Sequence, residues 1–369
     1  MEASARRRFP SWRVWVPLLA AVVLVATWGR HPADPVLAVV AVLLVGAVLA
    51  AVHHAEVVAH RVGEPFGSLL LAIAVTVIEV GLIVSLMTSG GKDTSSLARD
   101  TVFAAVMITL NGIVGLSLLV SSMRHHLAVF NPEGSGAALA TVVTLASVCL
   151  VLPTFTTSKP GPEFSAGQLV FASVASLTLY GLFVFTQTVR HRDFFLPVEP
   201  AAPSHVDADD DGHADPPPMR VALVSLLVLL VALVDVVGLA KTESPAIERG
   251  VTALGFPNAF VGVVIALVVL LPESISAVRS AARRRVQTSL NLAYGSAMAS
   301  IGLTIPAIAI ATIWLPGRLV LGLGPVQIVL LVISVFVAIL TVVPGRATRL
   351  QGGVHLVLLA AFLFLSISP

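Results

Sequence analysis

Two glutamates stand inside long apolar stretches, where ionisable side chains are rare. Glu79 lies in LAIAVTVIEVGLIV and Glu273 lies in VIALVVLLPESISAV. A charge near the middle of a bilayer is costly, and no basic residue lies deep in any apolar stretch to pair with these acids. Two convergent carboxylates suit a hard cation, which prefers oxygen ligands, and they also suit protons. The pair therefore predicts a site that exchanges a cation for protons, whereas the plainer alternative is that each glutamate packs helices together.

Hydroxyl and amide groups flank the two acids and are candidates for supporting ligands. Such groups also commonly hold membrane helices together, so each of them has a structural alternative. Pro272, directly before Glu273, either frees a backbone carbonyl for the cation or only bends the helix. The flanking candidates are Thr109 and Ser296, Ser117 and Thr304, which match in pairs between the two halves of the chain, and Asn111 and Ser300.

The composition determines which elements hold these residues. The chain has 369 residues, 57% of them hydrophobic and 11% charged, and its mean hydropathy is +0.97. Soluble domains have about 25% charged residues, so lipid is the predicted main solvent. A span needs about 20 apolar residues and must satisfy its own backbone hydrogen bonds, so we predict an all-α polytopic membrane protein. Eleven candidate transmembrane helices cover residues 11–29, 35–55, 66–88, 101–123, 137–155, 166–188, 220–240, 258–280, 287–313, 318–343 and 351–368.

The Lys and Arg residues divide unevenly between the two sides of the predicted membrane. With the N-terminus inside, the cytoplasmic segments hold 15 of the 22 and the opposite side holds 7. Positive residues mark the cytoplasmic side, so the N-terminus is predicted inside and the C-terminus outside. The seven on the outer side are Arg30, Lys92, Arg99, Lys159, Lys241, Arg249 and Arg318.

An acidic, proline-rich segment at 191–219 divides the chain into two related halves, and its composition predicts a disordered cytoplasmic linker. In each half a glutamate precedes a glycine by seven residues, as Glu56–Gly63 and Glu248–Gly255, and an acid-bearing apolar stretch follows. Five spans per half give the halves opposite orientations, so we predict a five-plus-five inverted repeat with one extra N-terminal helix. The parts are 1–34 (tail and extra helix), 35–190 (first repeat), 191–219 (linker) and 220–369 (second repeat).

Three further acids have weaker signals. Glu56 belongs to HHAEVVAH, which lacks the H-E-x-x-H spacing of zinc hydrolases. Because Glu56 and Glu248 occupy matching places in the two halves, they are predicted to form a polar gate or a cation access point. Asp235 has no counterpart in the first half, so we expect it to serve helix packing, with a proton relay as the alternative.

Other functional classes find less support in the sequence. A nucleic-acid binder would cluster Lys and Arg on a soluble face, for which the chain has no room. An enzyme would need a nucleophile with a base, or a metal triad, inside the spans, and none is visible; no cofactor is expected either. An exporter of organic solutes would need aromatic or Arg contacts, and aromatic residues make up only 6%. A cation channel would let the cation flow without protons. The expected partners are an inorganic cation, protons and the lipid bilayer.

Four segments of the chain, together with the acidic segment at 191–219, resemble one known family. They resemble the bacterial ChaA-type calcium/proton antiporters of the Ca2+:cation antiporter (CaCA/CAX) superfamily, and the resemblance runs from about Pro35 to the C-terminus. The resemblance implies the same five-plus-five inverted repeat with an extra helix, in the inner membrane of the cell. It also implies secondary active Ca2+/H+ exchange that exports the cation, with Na+(K+)/H+ exchange as the alternative. The segments are GEPFGSLLLAIAVTVIEVGLIVSLM, RDTVFAAVMITLNGIVGLSLL, LVVLLPESISAV and VQTSLNLAYGSAMASIGLTIP.

The resemblance further implies roles for particular residues. Glu79 and Glu273 correspond to the paired acids of the family's two α-repeats, and Ser296 corresponds to the serine of its Gly-Ser pair. The wider family often has Gly-Asn-x-x-Glu at the acid. Here Thr76 stands at the Asn position of the first half and Leu270 at that of the second. Thr76 is therefore a further candidate ligand, and the choice between Ca2+ and Na+ or K+ stays open.

Overall fold

A computed structural model describes residues 11–30, 32–63, 66–88, 94–198, 217–314 and 317–369. Ten helices within these ranges are long and apolar enough to cross a membrane, which confirms an all-α polytopic membrane protein. A shorter helix precedes them, and two residues at Ala128–Val129 pair antiparallel with Arg346–Ala347. The helices are α1 (Trp12–Thr27), α2 (Asp34–Val62), α3 (Phe66–Met87), α4 (Leu97–His125), α5 (Pro132–Phe155), α6 (Ala166–Arg190), α7 (Met219–Ala253), α8 (Phe260–Ala282), α9 (Val286–Ala311), α10 (Pro325–Val342) and α11 (Arg349–Ile367).

The number of helices of spanning length differs from the expected eleven because α1 is short. It has 16 residues, whereas a span needs about 20. The helix ends at Thr27, and Gly29 then takes a φ of +70°, a left-handed conformation that glycine adopts without strain. Among the described residues, α1 is therefore a short apolar helix that packs against α2 and α7.

Two predicted helix ends are too early. α7 continues to Ala253 although its apolar stretch ends near residue 240, and α2 continues to Val62 rather than to residue 55. Hydropathy marks where contact with lipid ends, but helical backbone hydrogen bonds can continue beyond that point. Both helices therefore extend past the apolar region that the sequence identifies.

Residues 318–324 are predicted to begin a span, but they are not helical, and α10 begins only at Pro325. The backbone of this segment is satisfied by other parts of the protein. Leu323 N–H donates to the Leu150 carbonyl at 2.9 Å, and Gly322 N–H donates to the Pro162 carbonyl at 3.0 Å. A side chain at position 322 would come within 2.5 Å of Thr154 Oγ1, so glycine is what permits the close approach.

The helices alternate in direction, which gives the bundle two ends. The long helices α2 and α7 run antiparallel, and Asp34 at the start of α2 forms an ion pair of 3.5 Å with Arg249 near the end of α7. At the opposite end Arg13 of α1 donates a hydrogen bond of 3.0 Å to the His53 ring of α2. The end at which α6 ends and α7 begins is called the linker end, and the other is called the far end.

Four helices form the centre that positions the two acids. α4 is the most buried of the ten spans, because 89% of its apolar 18-residue stretch lies inside the protein. It packs against α8 and α9, and α3 packs against the same two helices. The central residues of α4, Ile108–Ile113, form a π-helical segment in which every residue is buried. Such segments within α-helices frequently lie at functional sites.

The beginning of the predicted linker is ordered, so disorder is wrong for residues 191–198. Arg192–Phe195 form one turn of 3₁₀ helix, and the Phe195 ring packs edge-on against Phe183, with ring centroids 5.6 Å apart. Asn291 Nδ2 donates to the Phe195 carbonyl at 2.6 Å. This part is therefore held against α6 and α9, and the acidic run at 199–216 lies outside the described residues.

A buried carboxylate ties two far-end loops together. The side chain of Glu163 is 0% exposed, and its oxygens contact Lys159 and Arg318, each at 2.5 Å. Burial by itself raises the pKa of Glu163, but the hydrogen bonds and charges of Lys159 and Arg318 outweigh it and hold the pKa below its ordinary value. Folding therefore favours the ionised form, and protonation removes this contribution to stability.

We expect Glu163→Gln to lower the free energy of unfolding at pH 7 by on the order of 2 kcal/mol, because it removes charge-assisted hydrogen bonds. The difference in free energy of unfolding between the wild type and the variant should be fully present above about pH 4.3, the pKa of glutamate in the unfolded chain. It should vanish as the pH falls through the lower pKa that Glu163 has in the folded protein. Thermal unfolding of the detergent-purified proteins across this range measures it, with the exposed Glu133→Gln as control. A difference that persists unchanged at the acid limit would contradict the ion-pair origin.

Candidate cation and proton site

Glu79 lies in the middle of α3 and is held by two hydroxyl groups of α9. Its side chain is 2% exposed, and Oε2 accepts hydrogen bonds from Ser300 Oγ at 3.0 Å and from Thr304 Oγ1 at 2.9 Å. Residues four apart lie on one face of a helix, so both hydroxyls point the same way. α9 is interrupted between them at Leu303, because Pro306 offers no N–H to the carbonyl four residues earlier and crowds it.

Glu273 lies in α8, directly after Pro272, and is 6% exposed. The helix continues through the proline, which leaves the Val268 carbonyl without its usual intrahelical donor. α3 and α8 pack against each other at the centre of the bundle. The fold therefore places on neighbouring helices two acids that the sequence holds far apart.

Three buried oxygens around the two acids have no hydrogen-bond partner among the described residues. They are Oε1 of Glu79, Oε2 of Glu273 and Oγ1 of Thr76. Thr76 precedes Glu79 by three residues and so lies on the same face of α3. Because buried polar atoms almost always have partners, unpartnered oxygens at one place indicate room for a proton or an ion.

A cation at this place would use few charged ligands. Among the described residues, no group of three or more His, Cys, Asp and Glu side chains is arranged to hold a metal ion. The available oxygens are therefore the two carboxylates together with neutral hydroxyl and carbonyl groups. Such a set suits an ion that must leave again, since binding strength rises with the number of charged ligands.

A cavity of about 280 Å³ reaches Glu273 from the linker end. Its walls come from the first half of α3, the last half of α6 and the first half of α9, and they include Gln187, Asn291 and Ser296. A larger cavity of about 620 Å³ at the far end is lined by Glu248 but by neither Glu79 nor Glu273. Of these two cavities, only the one at the linker end reaches one of the two acids, Glu273.

Two candidate ligands on α4 are engaged elsewhere. Asn111 Nδ2 donates to Ser334 Oγ of α10 at 2.9 Å, and its Oδ1 lies 3.3 Å from His355 Nδ1 of α11. The Thr109 hydroxyl donates to a carbonyl of its own helix at 2.8 Å. The structure does not join either side chain to Glu79 by a hydrogen bond, so their role as cation ligands stays a prediction.

The two predicted gate residues lie at opposite ends of the bundle. Glu56 is near the linker end of α2, where its side chain is 47% exposed and lies 4.0 Å from His53 Nδ1. Glu248 is near the far end of α7 and lines the far-end cavity together with Asp100. Each end of the molecule thus carries one of the pair.

Of the flanking hydroxyls named from the sequence, Ser300 and Thr304 are the two that contact Glu79. The repeat pairs Thr304 with Ser117, whose hydroxyl instead accepts a hydrogen bond of 2.6 Å from Ser289 Oγ. The four-residue spacing of Ser300 and Thr304 is the signal that joins them, because it places both on one face of α9.

Both halves of the chain match a single family model. The model, described as sodium/calcium exchanger protein, covers residues 35–189 and 224–368. The chain belongs to the sodium/calcium exchanger protein family. The two matched stretches of this exchanger-family chain correspond to α2–α6 and α7–α11, and each contains one of the buried glutamates.

The exchanger-family chain has full-length relatives in bacteria. It is 45% identical over 367 residues to the putative ionic transporter y4hA of Sinorhizobium fredii, covering 98% of this chain and 97% of that one. It is 34% identical over 368 residues to the sodium-potassium/proton antiporter ChaA of Escherichia coli, covering 98% of each chain.

Solved structures of YfkE share the fold of this exchanger-family protein. The native YfkE structure has a TM-score of 0.73 at 17% identity, covering 97% of this chain and 99% of that one. A selenium-substituted structure, described as the Ca2+/H+ antiporter protein YfkE, has a TM-score of 0.67 at 16% identity and covers 97% and 98%. At this identity the likeness concerns the fold.

Proposed function

We propose that this exchanger-family protein is a secondary active antiporter that uses the proton gradient to expel Ca2+ across the inner membrane of the cell. The observation that carries the proposal is the pair of buried carboxylates. Glu79 and Glu273 lie on helices that pack against each other, and each has a buried oxygen with no partner among the described residues. Carboxylate and neutral oxygens are the ligands that Ca2+ takes in proteins.

In the proposed cycle the cation and the protons compete for the same oxygens. Ser300 and Thr304 fix Oε2 of Glu79 and leave Oε1 to bind the ion. Glu273 and the Thr76 hydroxyl complete the set of side-chain ligands. On the other side of the membrane protons displace the cation, and the neutral, protonated pair returns. An empty pair with two negative charges would be costly to enclose. The site therefore switches from one side of the membrane to the other only when a cation or protons are bound.

The proposed architecture is an inverted repeat of α2–α6 and α7–α11, with α1 as the extra helix. Its support is a matching feature before the acid-bearing helix of each half. Gly63 and Gly255 each follow a glutamate by seven residues, and their φ angles are +77° and +74°. Only glycine takes this backbone region routinely, so a glycine with positive φ recurs at matching places in both halves.

The linker end is proposed to face the cytoplasm, with the N-terminus inside and the C-terminus outside. The excess of Lys and Arg in the segments at that end supports this orientation. The cavity that holds Glu273 and Ser296 would then be the cytoplasmic path of a conformation open to the inside. Glu56 and Glu248 would form polar gates on the cytoplasmic and the outer access paths, respectively.

Exchange of Na+ or K+ for protons at the same site is the second candidate. One observation favours it: the 34%-identical relative ChaA of Escherichia coli is a sodium-potassium/proton antiporter. Position 270, where the wider family often has Asn, is Leu here, which removes one neutral oxygen from the second half. A site with fewer oxygen ligands favours Ca2+ over Na+ or K+ less strongly, because Ca2+ takes 6–8 oxygen ligands.

Proteoliposomes with an imposed pH gradient test the function and the cation together. We expect addition of Ca2+ to collapse the gradient in vesicles that contain the protein and not in empty ones. Collapse by Na+ or K+ alone would select the second candidate. If none of the three cations moves protons, antiport itself is wrong, and an organic-solute exporter or a channel would have to be considered.

A further inference from the structure

A second cavity at the far end has a basic lining and plays no part in the proposed transport. It measures about 500 Å³ and lies between the far ends of α1, α2, α3 and α7. Its lining includes Arg30, Lys241 and Arg249, together with Trp28. Asp34 contacts Arg249 at 3.5 Å.

The cations in this cavity differ from the other described cations at the far end in how they are paired. Arg99 pairs with the buried Asp100, and Lys159 and Arg318 pair with the buried Glu163. Arg30 and Lys241 have no carboxylate partner among the described residues. The third, Arg249, pairs with Asp34 at 3.5 Å, but both side chains are largely exposed, at 65% and 89%, so the pair is weak.

We propose that this cavity binds the phosphate of an anionic phospholipid. Three cations converge on one concave surface, and guanidinium groups match the geometry of phosphate oxygens. Lys241 Nζ lies 5.8 Å from the centre of the Trp28 ring, which orients its ammonium group toward the cavity rim. Tryptophan, lysine and arginine at the ends of apolar helices mark the level of lipid headgroups.

The apolar surface beside the cavity favours a lipid over a free phosphate ion. One turn and two turns before Trp28, α1 exposes Val25 at 79% and Val22 at 65%. α1 is also bound closely to α7 here, because a side chain at Gly238 would meet Leu24 at 2.6 Å. A phosphate held in the cavity would place acyl chains along the exposed face of α1.

The bound lipid would affect the neighbouring far-end cavity. The two cavities share Pro245 and Arg249 in their walls, and the neighbouring one is lined by Glu248. Neutralising the cations would lower the positive potential next to Glu248. The lipid therefore joins α1 to α7 and makes the far-end path more favourable for a cation.

Native mass spectrometry of the purified protein tests the binding directly, without reference to transport. We expect phosphatidylglycerol to stay bound to the wild type. Arg30→Gln with Lys241→Gln should weaken its binding about 30-fold, since each basic residue near the surface contributes a factor of about five. The matched control is Arg124→Gln with Arg349→Gln, which removes two exposed charges at the linker end and should change nothing. Arg30→Lys with Lys241→Arg should restore binding.

Three results would overturn the proposal. Retention of phosphatidylcholine equal to that of phosphatidylglycerol would show that the cavity does not recognise the headgroup charge. Equal weakening by the control pair would show a general charge effect. Displacement of the lipid by inorganic phosphate, or equal binding of phosphate alone, would assign the cavity to a free anion.

Discussion

Glu79→Gln and Glu273→Gln are each expected to abolish cation-driven proton flux while the protein still folds. Glutamine keeps the size of the side chain, and its amide oxygen can still accept the hydrogen bonds of Ser300 and Thr304 at position 79. It cannot carry a negative charge or take up a proton at neutral pH. Proton flux in proteoliposomes, read with a pH-sensitive dye, measures the loss, and size-exclusion chromatography checks folding.

Asp235→Asn is the matched control, because it also removes an acid buried in a membrane helix. Asp235 is 1% exposed in α7 and is proposed to serve packing. We expect its exchange activity to stay close to that of the wild type. Full exchange in either glutamine variant would refute the paired site. Loss in all three variants would attribute the effect to charge in the bundle generally rather than to the pair.

Removing both hydroxyls that hold Glu79 is expected to weaken the apparent cation affinity about 10-fold or more. The double variant is Ser300→Ala with Thr304→Val, and it leaves Oε2 of Glu79 without its two donors. A hydrogen bond to a charged group is worth about 1.5–3 kcal/mol, and about 1.4 kcal/mol is a factor of ten. The cation concentration at half-maximal proton flux, measured at constant pH, gives the affinity.

Two controls separate this effect from loss of packing. Thr304→Ser keeps the hydroxyl and should keep most of the affinity. Ser117→Ala removes a buried hydroxyl that bonds to Ser289 instead of to Glu79, and should leave the affinity unchanged. An unchanged affinity in the double variant, or an equal loss in Ser117→Ala, would contradict the role assigned to Ser300 and Thr304.

Hydropathy predicts the class of fold because lipid permits only a few backbone solutions. It does not predict where a helix stops. α1 ends after 16 residues at a turn that contains Gly29, and residues 318–324 are not helical although most of them are apolar. In both places the outcome depends on contacts with distant segments, such as the bond from Leu323 to Leu150, which local composition does not contain.

The two acids of the site are predictable from the sequence, whereas their neighbours are less so. Glu79 and Glu273 stand out because a buried charge is costly wherever the helices pack. The direction of a neutral polar side chain depends on which helix it faces. Asn111 therefore bonds to Ser334 and His355, whereas Thr304 follows Ser300 by four residues and faces Glu79 with it.

Accumulation of Ca2+ against its own gradient is the most direct test of the central claim. Proteoliposomes with an imposed proton gradient should concentrate Ca2+ above its equilibrium level, and a protonophore should release it. Vesicles with Glu273→Gln should not accumulate the ion at all. Uptake that only equilibrates Ca2+, Na+ and K+, with no response to the proton gradient, would contradict coupled exchange at the paired glutamates.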